Sequence, residues 1–320
     1  MAQNTISKDV KTDRHLYIGG SDIASVMGES RYKTPFKLWC EKTGRIPAPN
    51  LDNVESVHFG TILEDVVAKE FTRRTGKAVR QAPKGYVHPE YDYMVAHIDR
   101  IITGTDELLE CKTTNFFKAD EWQGENIPNE YILQVQWYLG ITGRKKGYIA
   151  CLIGGNQFNY KCIEFDSELF DLMVKCAKDF WEKIQTDTPP ELVANDDETM
   201  RDLYGSSQSD LIIDMSFPND EREAEAITDV EETVAYLQQL KGERKSIDDE
   251  IKTLETKLKD LIKDNLGIKT TKYLVTWKLQ NGSYTYDKEQ MLSDGVFEKY
   301  ATQSSFRRLN VKDLNKKAGK

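Results

Sequence analysis

The stretch that most restricts the fold is Val95–Thr114, which reads VAHIDRIITGTDELLECKTT. Two apolar runs, Val95–Ile102 and Leu108–Cys111, flank the turn residues Gly104-Thr105-Asp106, and this pattern predicts two paired strands. Yet the two strands also carry charges within or beside them: Asp99, Glu110 and Lys112. Because a charge at a core edge is costly without a partner, these three residues need a chemical explanation.

A divalent cation would explain the three charges. Glu110 and Lys112 are two residues apart and therefore project from the same face of a strand. Asp99 lies on the preceding strand and comes within reach of Glu110 if the two strands pair. Two close carboxylates are unfavourable unless a positive charge lies between them. Mg²⁺ or Mn²⁺ prefers oxygen ligands, and the backbone carbonyl of Cys111 could supply a third.

In such a site Lys112 would hold the attacking water or stabilise charge on an attacked phosphate. The same spacing also fits a surface hairpin with a Glu110–Lys112 ion pair, and by itself the motif is weak. The apolar flanks favour the first interpretation, because they indicate that the charges lie at a core edge.

Two helical segments direct further polar residues toward the same place. In FGTILEDVVAKEF, Glu64 shares a stripe with apolar residues, so an inward-facing acid there needs a partner such as a shared metal. In NEYILQVQWYLG, Gln134 and Tyr138 are one helical turn apart, with Tyr131 on the same side. They could bind a phosphate or the attacking water, and a buried amide with aromatic core packing explains the spacing equally well.

The first 187 residues show the pattern of one α/β unit. Helix-like and strand-like segments alternate, which predicts a mixed sheet flanked by helices. The helical patterns fall at 21–28, 34–44, 59–75, 129–143 and 167–186. The strand patterns fall at 85–87, 93–102, 108–112, 147–153 and 156–165.

The rest of the chain predicts an acidic linker over 188–226 and a C-terminal extension over 227–320. Residues 191–232 hold 14 acidic and 2 basic side chains, whereas 233–320 hold 18 basic and 12 acidic ones. Residues 1–187 are near balance, with 24 basic and 27 acidic side chains. The net charge of −9 is therefore concentrated in the linker and does not exclude DNA as a partner.

The extension begins with a heptad pattern that predicts one long helix. Eight of the ten residues at the a and d positions are apolar. The a positions are Val230, Leu237, Arg244, Ile251 and Leu258, and the d positions are Thr233, Leu240, Ile247, Leu254 and Leu261. A coiled coil and a single amphipathic helix lying on the chain's own α/β unit both fit. YLVTWKLQNGSYTYD then predicts a hairpin with Asn281-Gly282 as its turn, followed by a basic, aromatic tail.

No apolar run approaches the roughly 18 residues that a membrane-spanning helix needs, so no membrane association is expected. The first 15 residues lack a signal-peptide core, which makes the cytoplasm the expected location. The five cysteines are scattered without a C-x-x-C pair, which predicts free thiols and no structural zinc.

Four blocks of sequence together resemble a known family. RHLYIGGSDIASVMG, FGTILEDVVAKEF, HIDRII…LLECKTT and LQVQWYLG fall in the order found in the YqaJ-like viral recombinase family. This family is related to lambda exonuclease and belongs to the PD-(D/E)XK nucleases. The resemblance covers roughly residues 13–185 and implies a restriction-endonuclease-like fold. The C-terminal part also resembles an extension common in phage members.

The resemblance implies roles for individual residues. Asp99 and Glu110 correspond to the metal-binding acids, Glu64 to an acid that assists at the metal site, and Lys112 to the catalytic lysine. Gln134 and Tyr138 correspond to the glutamine-and-tyrosine helix motif.

The resemblance also implies a site for the 5′-phosphate of a DNA end. Arg14 and Ser21 have the seven-residue spacing of the arginine and serine that bind this phosphate in lambda exonuclease. The position two before the first acid, a serine near the phosphate in that enzyme, is His97 here. This departure leaves the detail of end recognition open.

The resemblance implies a Mg²⁺-dependent exonuclease, with two ions and Mn²⁺ as a substitute, that digests double-stranded DNA ends 5′ to 3′. The product would be a 3′ single strand for recombination. The expected partners are a phage single-strand annealing protein and further copies of the chain, with a ring possible, in the cytoplasm of a bacterial host of a phage or prophage. The residues themselves support only metal-assisted phosphodiester cleavage. Alternatives are an endonuclease, a nuclease preferring single strands, and a recombination scaffold acting through the extension.

Overall fold

A computed structural model describes residues 14–51, 53–83, 85–206, 209–282, 286–302 and 309. The chain divides into two compact units, Met1–Ser206 and Ser207–Lys320. The first unit thus extends past residue 187 into the segment predicted as a linker. Most of the predicted basic tail after Tyr300 lies outside the described residues.

The first unit is built on a five-stranded mixed sheet. Its strands, in spatial order, are β1 (Val79–Gln81), β4 (Arg100–Ile102), β5 (Glu107–Thr114), β6 (Lys146–Ile153) and β7 (Gln157–Glu164). Strands β5 and β6 run parallel, and the other neighbours are antiparallel. A separate antiparallel pair is formed by β2 (Tyr86–Val87) and β3 (Val95–Ala96).

Six α-helices lie in the described part of this unit, and local sequence signals define several of their ends. They are α1 (Gly20–Val26), α2 (Pro35–Lys42), α3 (Glu55–Thr75), α4 (Asn129–Thr142), α5 (Ser167–Gln185) and α6 (Asp197–Tyr204). Thr34 caps α2 by accepting a hydrogen bond from the amide of Lys37, and Asp166 caps α5 in the same way. Gly143 ends α4 with a φ of 69°, a left-handed conformation that favours glycine.

Helices cover both faces of the sheet. One core contains side chains of α1, α2, α4 and α5, among them Trp137 and Met173, packed with Leu108 and Ile149 of the sheet. The other core lies under α3, where Phe71 and its neighbours meet Leu109 and Ala150. The prediction of a mixed α/β sheet flanked by helices is confirmed. The alternation along β5 decides which side chains belong to which face.

The predicted continuous strand over Tyr93–Ile102 is wrong. It is interrupted at His97–Asp99, so that β3 pairs with β2 while β4 pairs with β1 and β5. The chain changes sheets within these three residues. Asp99 therefore lies immediately before β4 rather than within a strand.

The second unit is dominated by α7 (Glu221–Ile262), a helix of 42 residues. At 1.5 Å per residue it is about 63 Å long. Asp220 caps it by accepting a hydrogen bond from the amide of Glu223 at 2.8 Å. The prediction of one long helix through the heptad region is confirmed. Among the described residues, no helix is both long enough and apolar enough to cross a lipid bilayer.

The hairpin that follows α7 differs from the prediction. Strand β8 (Gly267–Lys269) pairs with β9 (Leu274–Thr276), and the turn between them is closed by hydrogen bonds between Thr270 and Tyr273. Asn281 and Gly282 lie outside any strand, and residues 283–285 of the predicted second strand are outside the described part. The turn thus forms about ten residues earlier than predicted. Two short helices follow, α8 (Lys288–Ser293) and α9 (Phe297–Tyr300).

Candidate active site

Asp99 and Glu110 meet where β4 begins beside β5. The antiparallel register pairs Arg100 with Leu109, and continuing it by one residue brings Asp99 level with Glu110. The Asp99 carboxylate accepts a hydrogen bond from the backbone amide of Cys111 at 2.8 Å. Burial and then the neighbouring Glu110 carboxylate raise the pKa of Asp99 to about 8. The two acids are therefore close enough to repel each other.

Glu110 is buried, with only 2% of its surface exposed, and one of its two carboxylate oxygens accepts hydrogen bonds. Its Oε1 accepts hydrogen bonds from Lys112 Nζ at 2.6 Å and from Gln134 Nε2 at 2.9 Å. Its Oε2 is buried and has no hydrogen-bond partner among the described residues. A buried carboxylate oxygen without a partner is costly, so a further positive group would be stabilised there.

Lys112 is the cation of this cluster. Besides Glu110, its Nζ donates to Gln134 Oε1 at 2.9 Å and lies 4.9 Å from the centre of the Tyr131 ring. Burial alone would lower the pKa of Lys112, but the carboxylates of Glu110 and Asp99 raise it. The lysine is therefore held charged beside both acids.

Helix α4 supports this cluster from one face of the sheet. Gln134 is buried, and its Nε2 donates to the Tyr138 hydroxyl at 2.6 Å as well as to Glu110. Tyr138 is itself buried in the core, and burial raises the pKa of its hydroxyl. The interpretation as a buried amide with aromatic core packing is confirmed, and the amide also holds Glu110 and Lys112 in position. Binding of a phosphate or of the attacking water stays a prediction.

Glu64 reaches the same region from α3, on the opposite face of the sheet. Its apolar stripe neighbours Val67 and Phe71 are buried, as predicted, and Glu64 is half-buried. Its carboxylate forms an ion pair with Arg100, whose guanidinium also donates to Asp65 at 2.6 Å. Burial and then the Asp99 charge raise the pKa of Glu64. Glu64 is therefore near Asp99 but is directed to Arg100.

Arg14 and Ser21 are brought together on the surface. The guanidinium Nη2 of Arg14 donates to Ser21 Oγ at 2.8 Å, and both side chains are exposed. The half-buried His97 ring lies 5.5 Å from the ring of Tyr17. Burial and then the nearby positive charge of Arg14 lower the pKa of His97. The residue that departs from the family pattern thus lies near Arg14.

A buried ion pair beneath Arg14 and Ser21 is absent from the sequence prediction. Lys42 Nζ donates to Asp22 Oδ2 at 2.8 Å and to the backbone carbonyls of Arg14 and Tyr17, each at 2.6 Å. Asp22 also accepts from the amide of Gly19 at 3.1 Å. The pair therefore ties the Arg14 segment to the start of α1. The signal that could have revealed it was Lys42, a charge among the apolar residues of TPFKLWCEKTG.

These residues fit a hard divalent cation. Two carboxylates meet, one carries a raised pKa, and the other has a buried oxygen to which no described residue donates a hydrogen bond. Within the described residues, no group of three or more His, Cys, Asp or Glu side chains is placed to hold a metal ion. The donors would therefore be Asp99, Glu110 and backbone or external oxygens.

Gly20 allows α1 to pack closely on Tyr138. A Cβ atom at this position would lie 2.3 Å from Tyr138 Cε1, closer than real contacts allow. We expect Gly20→Ala to displace the Tyr138 ring from Gln134 and to lower the free energy of unfolding by about 1–3 kcal/mol. Gly60→Ala is the matched control, since its Cβ would meet only Thr113 Oγ1 at 3.8 Å. Thermal unfolding of both variants measures this, and equal midpoints would contradict the packing role.

The candidate site thus combines an acid before β4 with an acid and a lysine on β5 of a mixed sheet. Residues 10–145 match the family model of the YqaJ-like viral recombinase domain. The chain is 36% identical over 310 residues to the uncharacterized protein YqaJ of Bacillus subtilis (strain 168), covering 95% of this chain and 93% of that protein. The chain belongs to the YqaJ-like viral recombinase family.

Solved structures resemble about half of the chain. The alkaline exonuclease LHK-Exo from Laribacter hongkongensis matches with a TM-score of 0.47 and 21% identity, covering 55% of this chain and 91% of that one. A phage-related exonuclease from Haemophilus somnus 129PT matches with a TM-score of 0.43 and 15% identity, covering 54% and 96%.

Proposed function

We propose that the chain is a divalent-metal-dependent deoxyribonuclease that digests the 5′ strand of double-stranded DNA ends. The product is a 3′ single strand for recombination by strand annealing. The observation that carries this proposal is the cluster of Asp99, Glu110 and Lys112. The half-buried Asp99 lies beside the buried Glu110, Lys112 donates to Glu110, and one oxygen of Glu110 has no hydrogen-bond partner among the described residues. Membership of a viral recombinase family agrees with a role in DNA recombination.

Asp99, Glu110 and the backbone carbonyl of Cys111 would hold Mg²⁺, or Mn²⁺ in its place, with Glu64 assisting. Two ions are proposed, by the resemblance to lambda exonuclease. When bound, the metal polarises the phosphodiester and lowers the pKa of a water molecule. Lys112 donates to the attacking water or to the phosphate oxygen as negative charge develops. Gln134 holds Glu110 and Lys112 in register for this step.

Arg14 and Ser21 would bind the 5′-phosphate of the DNA end. Arginine and hydroxyl groups are suitable donors to phosphate oxygens, and both are exposed and already in contact. Tyr138 packs between α1, which carries Ser21, and the acidic cluster, since it lies against Gly20 on one side and Gln134 on the other. Tyr138 would therefore set the distance between the bound end and the cleaved bond. Its role toward DNA is indirect.

The proposed partners are double-stranded DNA ends, a phage single-strand annealing protein and further copies of this chain, with a ring as one form of the oligomer. The proposed location is the cytoplasm of a bacterial host, in which a phage or prophage encodes the protein. The direction of digestion and these partners rest on the resemblance to lambda exonuclease.

Digestion of linear duplexes labelled at either the 5′ or the 3′ end tests the proposal. We expect the 5′ label to be released first, and only when Mg²⁺ is present. Earlier release of the 3′ label would overturn the direction, and equal release in EDTA would overturn the metal requirement. A closed circular duplex is the control, because only an endonuclease would cut it.

The scaffold alternative is separated by removing residues 228–320. A nuclease that acts through the first unit should keep cleaving linear DNA after this deletion, because the acidic cluster lies within residues 99–138. Loss of partner binding with intact cleavage would make the extension an interaction module.

A further inference from the structure

The apolar face of α7 has no partner within its own unit as far as that unit is described. We call the ten a and d residues of this helix the seam. They are Val230, Thr233, Leu237, Leu240, Arg244, Ile247, Ile251, Leu254, Leu258 and Leu261. Seven of its eight apolar side chains are exposed, from 41% at Leu258 to 66% at Leu261, and Leu237 is half-buried. An apolar stripe of this length on one helix marks an interaction surface.

We propose that the seam joins α7 to α7 of a second copy of the chain in an antiparallel coiled coil. This inference rests on the homo-oligomer named in the proposed function and is independent of the nuclease chemistry. The two can therefore fail separately.

The seam is complementary to itself when reversed. In an antiparallel pair each a residue packs against a d residue of the other helix. The register centred between Lys245 and Ser246 uses all ten positions of both helices. It pairs Val230 with Leu261, Leu237 with Leu254, Arg244 with Ile247, Ile251 with Leu240, and Leu258 with Thr233 of the second copy. Every layer then contains at least one apolar side chain, and the two polar seam residues never meet.

A parallel pair in register is unfavourable for the same sequence. It places Arg244 directly against Arg244 of the second copy, inside the seam. The flanking g and e positions then bring Glu243 beside Asp248 and Glu250 beside Glu255 of the second copy. All of these contacts join like charges, so the parallel arrangement is selected against.

The antiparallel arrangement changes which flanking charges meet. Positions e face e, and Lys241 then lies beside Asp248 of the second copy at two symmetric places. One kind of unfavourable contact remains, between Glu243 and Glu250 of the second copy, also at two symmetric places. Arg244 lies next to it and already pairs with Asp248 at 3.8 Å within the helix. Charge thus favours the antiparallel orientation, in which the two chains enter the coiled coil at opposite ends.

Disulfide mapping tests the orientation in the full-length chain. Leu237→Cys and Leu254→Cys are combined in one protein with Cys162→Ser, because Cys162 is an exposed thiol. Positions 237 and 254 are about 25 Å apart along one helix, so a disulfide between them must join two chains. We expect oxidation to give a 237–254 link, identified by mass spectrometry of the digested protein. A 237–237 link would overturn the antiparallel register, and no seam link would overturn the dimer.

A matched pair of variants in the same cysteine background tests the seam itself. Ile251→Asp places a charge in two layers, and we expect the yield of the 237–254 link to fall at least tenfold. Thr256→Asp adds the same charge on the outer face and should leave the yield unchanged. Circular dichroism checks that α7 forms in both variants. Equal yields would overturn the proposal, whereas loss of DNA cleavage with the link intact would affect only the nuclease assignment.

Discussion

Asp99→Asn should abolish DNA cleavage and at the same time stabilise the metal-free protein. The cleavage rate should fall roughly a thousandfold or more, because the variant loses one of two carboxylates that would hold the cation. The folded protein should gain stability, because Asp99 and Glu110 repel each other when no metal ion is bound. Asparagine keeps an oxygen that can accept the hydrogen bond from the amide of Cys111.

The sign of the stability change depends on pH. The folded-state pKa of Asp99 is raised from 3.8 to about 8, so the folded protein binds a proton that the unfolded chain releases. Stability is therefore lost as pH rises between these two values, and each unit of pKa corresponds to about 1.4 kcal/mol. In EDTA at pH 8, we expect the free energy of unfolding of Asp99→Asn to exceed that of the wild type by on the order of 2 kcal/mol. The difference should vanish near pH 4.

Thermal unfolding in EDTA at pH 5 and pH 8 measures this, with Mg²⁺ added in a parallel series. Mg²⁺ should stabilise the wild type and not Asp99→Asn, since a ligand stabilises only the state that binds it. Asp92→Asn is the control, because Asp92 is exposed and does not belong to the acidic cluster. A wild type more stable than Asp99→Asn at pH 8 in EDTA would contradict the proposed repulsion.

Lys112→Ala should also abolish cleavage, but with the opposite effect on stability. The substitution removes the donor to both Glu110 Oε1 and Gln134 Oε1. The buried carboxylate of Glu110 then has lost its positively charged partner. Breaking a buried ion pair in this way costs about 3–5 kcal/mol. The cleavage rate should fall about a hundredfold to a thousandfold, as for the loss of one donor to developing charge.

Binding of DNA ends should survive in part in Lys112→Ala, because Arg14 and Ser21 are unchanged. A filter-binding or fluorescence anisotropy assay with a 5′-phosphorylated duplex measures this beside the cleavage rate. Lys69→Ala on the exposed face of α3 is the matched control. Full cleavage activity in Lys112→Ala would sink the assignment of the site.

The opposite signs of the stability changes in Asp99→Asn and Lys112→Ala distinguish a metal site from a structural ion-pair network. If the cluster only stabilised the fold, both substitutions would lower the melting temperature and neither would change its dependence on Mg²⁺. A site for a cation predicts that removing an acid relieves repulsion, whereas removing the lysine increases it. The two variants therefore test one explanation from two directions.

Much of the fold could be predicted because local patterns agree with it. Gly76 and Gly143 end α3 and α4 in left-handed conformations, and the alternation in β5 separates Glu110 and Lys112 from Leu109. The break at His97–Asp99 could not be predicted, because the apolar residues on both sides read as one strand. Which sheet each half joins depends on partners that are distant in the chain, namely β2 and β5.

The partners of the charged side chains could not be predicted from the sequence either. Glu64 was predicted to face a shared metal, but in the structure it is directed to Arg100, for which the sequence predicted no role. The Asp22–Lys42 pair joins residues 20 apart in sequence through the packing of α1 and α2. Side chains of this length choose among several partners, and only the folded backbone fixes which of them is within reach.

The sequence by itself determined the residue types of the cluster, their common face on β5 and the heptads of α7. These follow from the two-residue and 3.6-residue periods of strands and helices, which need no tertiary information. Only the tertiary structure decided that Asp99 stands before β4 and that Gln134 joins Glu110 and Lys112. It also decided that one oxygen of Glu110 has no hydrogen-bond partner in the described part of the chain. Those facts depend on pairing and burial across the sheet, where long-range packing sets the distance between charges.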